Sequence, residues 1–181
     1  PGVQPPPAPP PVAGLPPTGV PETPPRDPAV PVPGAPAAPG TTPTPAQIIV
    51  TPAGSEFRVA GGPYLTAVSI NNASRVSTLS LTVTFNPAVV RVRNIQEGTF
   101  MRQGTATVSF TPKIDNVAGR VDITVARTGD QIGASGAGLI ASLFFDAVAP
   151  GSSLIQVNGV AAAPDGAPLQ IQFSPVTVTV R

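Results

Sequence analysis

The chain has 181 residues, 41% of them apolar and only 10% charged, with a formal net charge of +1. It contains no His, Cys or Trp, which removes the usual general base, thiol nucleophiles, disulfides and most zinc sites. From Ala46 onward nine basic residues face seven acidic ones without a dense cationic stretch, and no apolar run could span a bilayer, so neither nucleic-acid binding nor membrane insertion by this segment is expected.

Composition changes abruptly near Ala46. Nineteen of the 27 prolines lie in the first 45 residues. Runs such as Pro5-Pro6-Pro7 and Pro9-Pro10-Pro11 lack backbone donors and apolar periodicity, so residues 1–45 read as a disordered, partly polyproline-II stalk or linker. Pro-x-x-Pro spacings within it would also suit an aromatic-lined groove. The chain starts at Pro1 instead of a methionine, which reads as a fragment or a processed product.

Residues 46–181 read as one all-β domain. Short segments rich in β-branched residues alternate with Gly, Pro, Asn and Asp. Strands are expected over Gln47–Val50, Glu56–Val59, Leu65–Ile70 (closed by Asn71-Asn72) and Thr78–Phe85. The last has the cleanest alternation: Leu79, Leu81, Val83 and Phe85 on one face, Ser80, Thr82 and Thr84 on the other. Val89–Ile95, Thr105–Thr111 and Arg120–Arg127 follow, the last with Val121, Ile123 and Val125 inward. Leu139–Val148 carries large apolar groups on both faces and reads as a central strand; the alternative is an exposed patch that meets a partner. Ser153–Val157, Leu169–Phe173 and Val176–Val180 complete a two-sheet antiparallel β-sandwich, a jelly roll of about nine strands. Leu81, Val83, Phe85, Ile123, Val125 and Phe144 are expected to line its core.

Candidate sites are sparse. Gly133-Ala134-Ser135-Gly136-Ala137-Gly138 precedes a strand, not a helix, so it reads as a flexible inter-strand loop and not a phosphate cradle. Asp115, Asn116 and Asp130 offer oxygen ligands to Ca²⁺, yet no Asp-x-Asp-x-Asp-Gly loop is present; otherwise no cofactor is expected. Asp165-Gly166 reads as a hairpin turn, and Asn72-Ala73-Ser74 fits the N-glycosylation pattern. The acids mostly flank turns or face outward, which argues against a glycosidase pair and against an enzyme. The candidate binding face is the polar phase of the best-defined strand, Thr78, Ser80, Thr82 and Thr84, with Arg91 and Arg93 beside it.

Several stretches, in order, resemble a known family. Val68-Ser69-Ile70-Asn71-Asn72, followed by Leu79 through Phe85, Asn86-Pro87 and Ala88-Val89-Val90, resembles the start of a cohesin domain, with Asn86 where the family usually has Asp. Glu97-Gly98-Thr99-Phe100 is similar to its following glycine turn. Gly138 through Ala147, then Pro150-Gly151-Ser152-Ser153-Leu154, resembles its late apolar strand and Gly-Ser hairpin. The resemblance implies a nine-stranded jelly roll related to carbohydrate-binding modules and a dockerin as partner. It also implies a second setting, after Pro-rich linkers at the carboxyl end of secretin-like outer-membrane proteins of type II secretion and pilus systems.

The expected protein is therefore a non-catalytic cohesin-like module for protein binding or assembly. It would be tethered at a bacterial cell envelope, extracellular or associated with the periplasm and outer membrane. Its partner would be dockerin-like, an envelope component or a second copy. One rival is a self-assembling extracellular filament or surface subunit that uses its tail or an edge strand. Another is a polysaccharide-binding module, against which the absence of Trp and the single Tyr count.

Overall fold

The computed structural model describes residues 44–181 together with Gly2, Pro7, Ala8 and Gly14. The chain divides into two units, Pro1–Thr41 and Thr42–Arg181, and the fold is that of the second. Nearly all of the expected stalk, residues 1–45, falls outside the described residues.

Twelve strands form in chain order: β1 (Ala46–Pro52), β2 (Glu56–Phe57), β3 (Tyr64–Val76), β4 (Thr78–Thr84), β5 (Val90–Glu97), β6 (Thr107–Asp115), β7 (Arg120–Thr128), β8 (Ala134–Ala147), β9 (Gly151–Ala162), β10 (Pro168–Leu169), β11 (Ile171–Ser174) and β12 (Val176–Val180). The first sheet runs β11-β1-β3-β8-β5; the second runs β2-β12-β9-β4-β7-β6, with β10 added to β9. A single 3-10 turn, Phe100–Arg102, is the only helical element among the described residues. The two sheets make the expected sandwich, with two differences in pairing. β1–β11 and β12–β2 are parallel, so the sheets are mixed and not wholly antiparallel. Parallel neighbours need long connections that no local pattern encodes. The carboxyl-terminal stretch also serves both sheets. Ile171–Ser174 pairs with β1 in the first, and after Pro175 Val176–Val180 pairs with β9 in the second. Proline has no N–H to give a ladder, so the chain changes sheets there.

The core is the inward phase of both sheets. Leu79, Leu81 and Val83 on β4, with Val121, Ile123 and Val125 on β7, face Ile48, Val68, Ile70, Val92, Leu143 and Phe145, all buried. Burying each such side chain contributes about 1.5–3 kcal/mol. Phe85 is buried as expected and meets Phe145 edge-on, with ring centroids 5.5 Å apart. Phe144 is a correction. The register between β3 and β8 shifts at Val68/Ser69, where Ile140 is the extra residue. Beyond that bulge Ala141, Leu143 and Phe145 point inward, and Phe144 points outward beside Leu65.

The glycine-rich run is a second correction. It opens β8 and does not form a loop: Ala134, Gly136 and Gly138 pair with Val76, Ala73 and Ile70 through register shifts. β3 accordingly continues past Asn71-Asn72 to Val76, with Asn72 and Arg75 in the left-handed region that its irregular register requires. The Glu97-Gly98-Thr99-Phe100 turn leads Phe100 and Met101 into the core. Gly98 donates to the Ile140 carbonyl at 2.7 Å, and a Cβ there would lie 2.1 Å from the Leu139 carbonyl oxygen. Asp165-Gly166 does form a turn, closed by Ala167 N–H on the Asp165 carboxylate at 3.0 Å.

Candidate binding face

The expected Ser/Thr ladder occupies the outside of the second sheet. β4 pairs with β7 and β9 along all seven of its residues without a register shift, so its outward side chains fall into straight rows. One row reads Asn158, Thr82, Asp122, Lys113; the next reads Val160, Ser80, Thr124, Thr111. Thr78, Ser80, Thr82 and Thr84 are half-buried by these neighbours. Arg91 and Arg93 are not beside them. They lie on β5, on the outside of the first sheet, where Arg93 pairs with Asp146 at 2.8 Å. Alternation along a strand reveals which residues share a face, but not to which sheet the strand belongs.

Asp122 anchors the centre of the ladder. Its Oδ1 accepts from Thr82 Oγ1 at 2.7 Å, from Arg120 Nε at 2.8 Å and from Arg120 Nη2 at 2.7 Å. The Arg120 hydrogen bond, then that of Thr82, holds the Asp122 carboxyl below the usual carboxylate range. Two residues on this face carry no signal in the Ser/Thr pattern: Leu154, 52% exposed, and Val160, 69% exposed. Both occupy the outward phase of β9, one on either side of Gln156 and Asn158. The expected strand ended at Val157; following the period of two through Ala162 would have placed Val160 outside.

The remaining candidates do not converge. Asp115 and Asn116 sit in the turn between β6 and β7, while Asp130 follows the far end of β7, so the length of the hairpin separates them. Six of the seven acids in residues 46–181 pair with arginine: Glu56–Arg181, Glu97–Arg102, Asp122–Arg120, Asp130–Arg127, Asp146–Arg93 and Asp165–Arg75. The seventh, Asp115, accepts two turn amides. The single tyrosine, Tyr64, stacks on Phe57 with centroids 4.1 Å apart, and its hydroxyl accepts from Arg58 N–H. Its ring is thus occupied within the fold.

Arg127 is the one buried cation among the described residues. It donates to the carbonyls of Met101 at 2.7 Å and Gln103 at 2.9 Å, and pairs with Asp130. Asp130 in turn accepts from Gly133 N–H at 3.1 Å. The Arg127 hydrogen bond, followed by that of Gly133, holds the Asp130 carboxyl below its ordinary value. This clamp ties two loops at one end of the sandwich to β7.

Comparisons with known proteins agree on one family. The family model described as Cohesin domain matches residues 65–180. A non-cellulosomal cohesin from the archaeon Archaeoglobus fulgidus superposes with a TM-score of 0.60 at 17% identity, covering 76% of this chain and 92% of that one. A type II cohesin domain from the cellulosome of Acetivibrio cellulolyticus gives 0.63 at 13% identity, over 75% of this chain and 95% of its own. A type I cohesin–dockerin complex from Clostridium thermocellum gives 0.60 at 11% identity, over 76% and 94%. A search of curated protein sequences gives no match.

Proposed function

Because the chain belongs to the cohesin domain family, whose members are non-catalytic protein-binding modules, we propose that it holds a dockerin-type protein on the outside of its second sheet. The observation that carries this reading is that Leu154 and Val160 stand exposed on the outward phase of β9, the strand next to the polar rows of β4 and β7. Apolar side chains set in a rigid polar surround supply the desolvated contacts on which interface energy concentrates. Asp122, Thr82, Asn158 and Lys113 supply hydrogen-bonding groups around them. Arg91 and Arg93 take no part, because they face the other way.

The module is tethered outside the cell by its proline-rich segment, at the cell surface or envelope, in the manner of the linkers that precede such domains in secretin-like secretion proteins. Titration calorimetry of the full chain against dockerin domains from the same genome tests the reading. One of them should bind with micromolar affinity or tighter. Failure of every such dockerin, alongside capture of a glycan or of an envelope protein without a dockerin, would overturn it.

A further inference from the structure

Asn158-Gly159 is the single Asn-Gly pair in the sequence. Such a pair carries its own chemistry. The Gly159 amide nitrogen attacks the carbonyl carbon of the Asn158 side chain, a succinimide ring closes, and ammonia leaves. Water then opens the ring at either carbonyl, giving aspartate or isoaspartate. Glycine leaves the attacking nitrogen unscreened by a side chain. Asn-Gly is ordinarily a turn signal, yet here it lies inside β9.

The fold explains the glycine. Gly159 stands opposite Leu81 on β4, and a Cβ there would lie 2.2 Å from the Ser80 carbonyl oxygen. No side chain fits so close an approach. Asn158 stands opposite Thr82, with its own side chain exposed to water. An extended antiparallel strand has ψ of about +135°, and ring closure requires ψ at the asparagine to rotate far from that value. Pairing with β4 prevents the rotation. The hold is one-sided, because β12 pairs with β9 only from Gly151 to Ile155, and β10 only at Ala161 and Ala162. Between Gln156 and Val160, β4 is the one strand among the described residues that pairs with β9. Paired along one edge, this stretch opens at less cost than strands paired along both.

We propose that Asn158 is a fold-gated modification site, which stays an amide while β9 lies in the second sheet and deamidates when that stretch opens. The isoaspartyl product routes the backbone through the side-chain carbon and lengthens it by one atom. Residues 159–162 then cannot keep both their pairing with β4 and their inward and outward phase. The aspartyl product keeps the backbone but adds a carboxylate to the row of Asp122, two strands away at about 10 Å. Openings of β9 thus accumulate as a permanent mark, and the isoaspartyl form does not close again. The inference stands apart from the docking reading, and none of its readouts needs a partner.

The full chain is held in mildly alkaline buffer, natively and in urea. Conversion is followed by peptide mapping with mass spectrometry and by enzymatic methylation of isoaspartyl groups. The native chain should convert about 100-fold more slowly than the chain in urea. L81A leaves a cavity opposite Gly159 and should raise the native rate about tenfold or more. If that variant does not fold, the natural chain in urea below its unfolding midpoint replaces it and should show the same rise. N158Q, whose side chain is one carbon too long for the ring, should stay unconverted throughout, which assigns the signal to residue 158. After removal of urea, isoaspartyl chains should exchange their β9 amides about tenfold faster than unconverted chains. Equal rates in native buffer and urea overturn the proposal, as does a loosened chain that converts no faster than the natural one. Isoaspartyl chains that regain the natural protection of β9 overturn the claim of a permanent mark.

Discussion

The two outer faces of the sandwich are built differently. In the second sheet β4 keeps one register with both neighbours over its whole length, and its outward residues form straight rows of hydroxyl, amide and carboxylate groups. In the first sheet β8 changes register against β3 at three places and against β5 at one. Its outward residues are correspondingly irregular: Leu65 beside Phe144, and Arg91 and Arg93 around Asp146. Bulges add twist and re-aim side chains, whereas an unbroken ladder keeps them in aligned rows that follow the ordinary twist of the sheet. Within the irregular stretch of β8, Gly138 leaves room for the Phe100 side chain, 3.1 Å from where its Cβ would be. The second sheet keeps its register unbroken from β9 through β4 to β7.

Several substitutions would break or sharpen that contrast. Phe145→Ala, on the inward side of the bulged strand, should cost about 3–5 kcal/mol, and Phe144→Ala about 1 kcal/mol or less, in denaturant melts. Equal losses would mean that the β8 phase is misassigned. Arg127→Met leaves two carbonyls and the Asp130 carboxylate without their cation, and should cost roughly 3 kcal/mol by the same measurement. A neutral result would remove the clamp from the account of that end of the sandwich. Leu154→Asp with Val160→Asp should leave the melting temperature within a few degrees yet weaken dockerin binding about 100-fold, while Leu65→Asp on the opposite face changes affinity less than about twofold.

The smallest effect concerns Asp122. Its carboxyl is held low by Arg120 and Thr82, so its contribution is fully present above its unfolded pKa of about 3.9 and is lost as pH falls through the lower folded value. The pair is partly exposed and screened, so Asp122→Asn should cost under about 1 kcal/mol at neutral pH. The gap between the two chains should close in acid, below about pH 4. A gap that widened in acid would show that the Arg120 and Thr82 contacts do not stabilise the charged form.

Much of this was legible in the sequence where alternation is strict. Leu79-Ser80-Leu81-Thr82-Val83 allows one strand with one buried phase, and β4 and β7 follow that pattern. Adjacent Phe144 and Phe145 offered no such parity, because the bulge at Ile140 decides which of them turns inward. The glycine-rich run of residues 133–138 reads as punctuation in isolation, and becomes strand only because β3 bends to meet it. Arg91 and Arg93 were rightly grouped with each other but joined to the wrong sheet, since sheet membership depends on contacts far along the chain. Leu154 and Val160 were hidden because apolar residues in a polar phase look like core. The Asn116 side-chain amide, which accepts from Val92 N–H at 2.8 Å and donates to its carbonyl at 2.9 Å, has no local signature at all.

The central claim is that the second sheet's outer face is where a partner docks. Hydrogen exchange of the full chain, with and without its bound dockerin, tests it most directly. The account predicts added protection along β9, β4 and β7, centred on Ser80, Thr82, Asp122 and Val160, with β1, β3 and β8 unchanged. Protection confined to β3, β8 and β5, around Leu65 and Phe144, would contradict it.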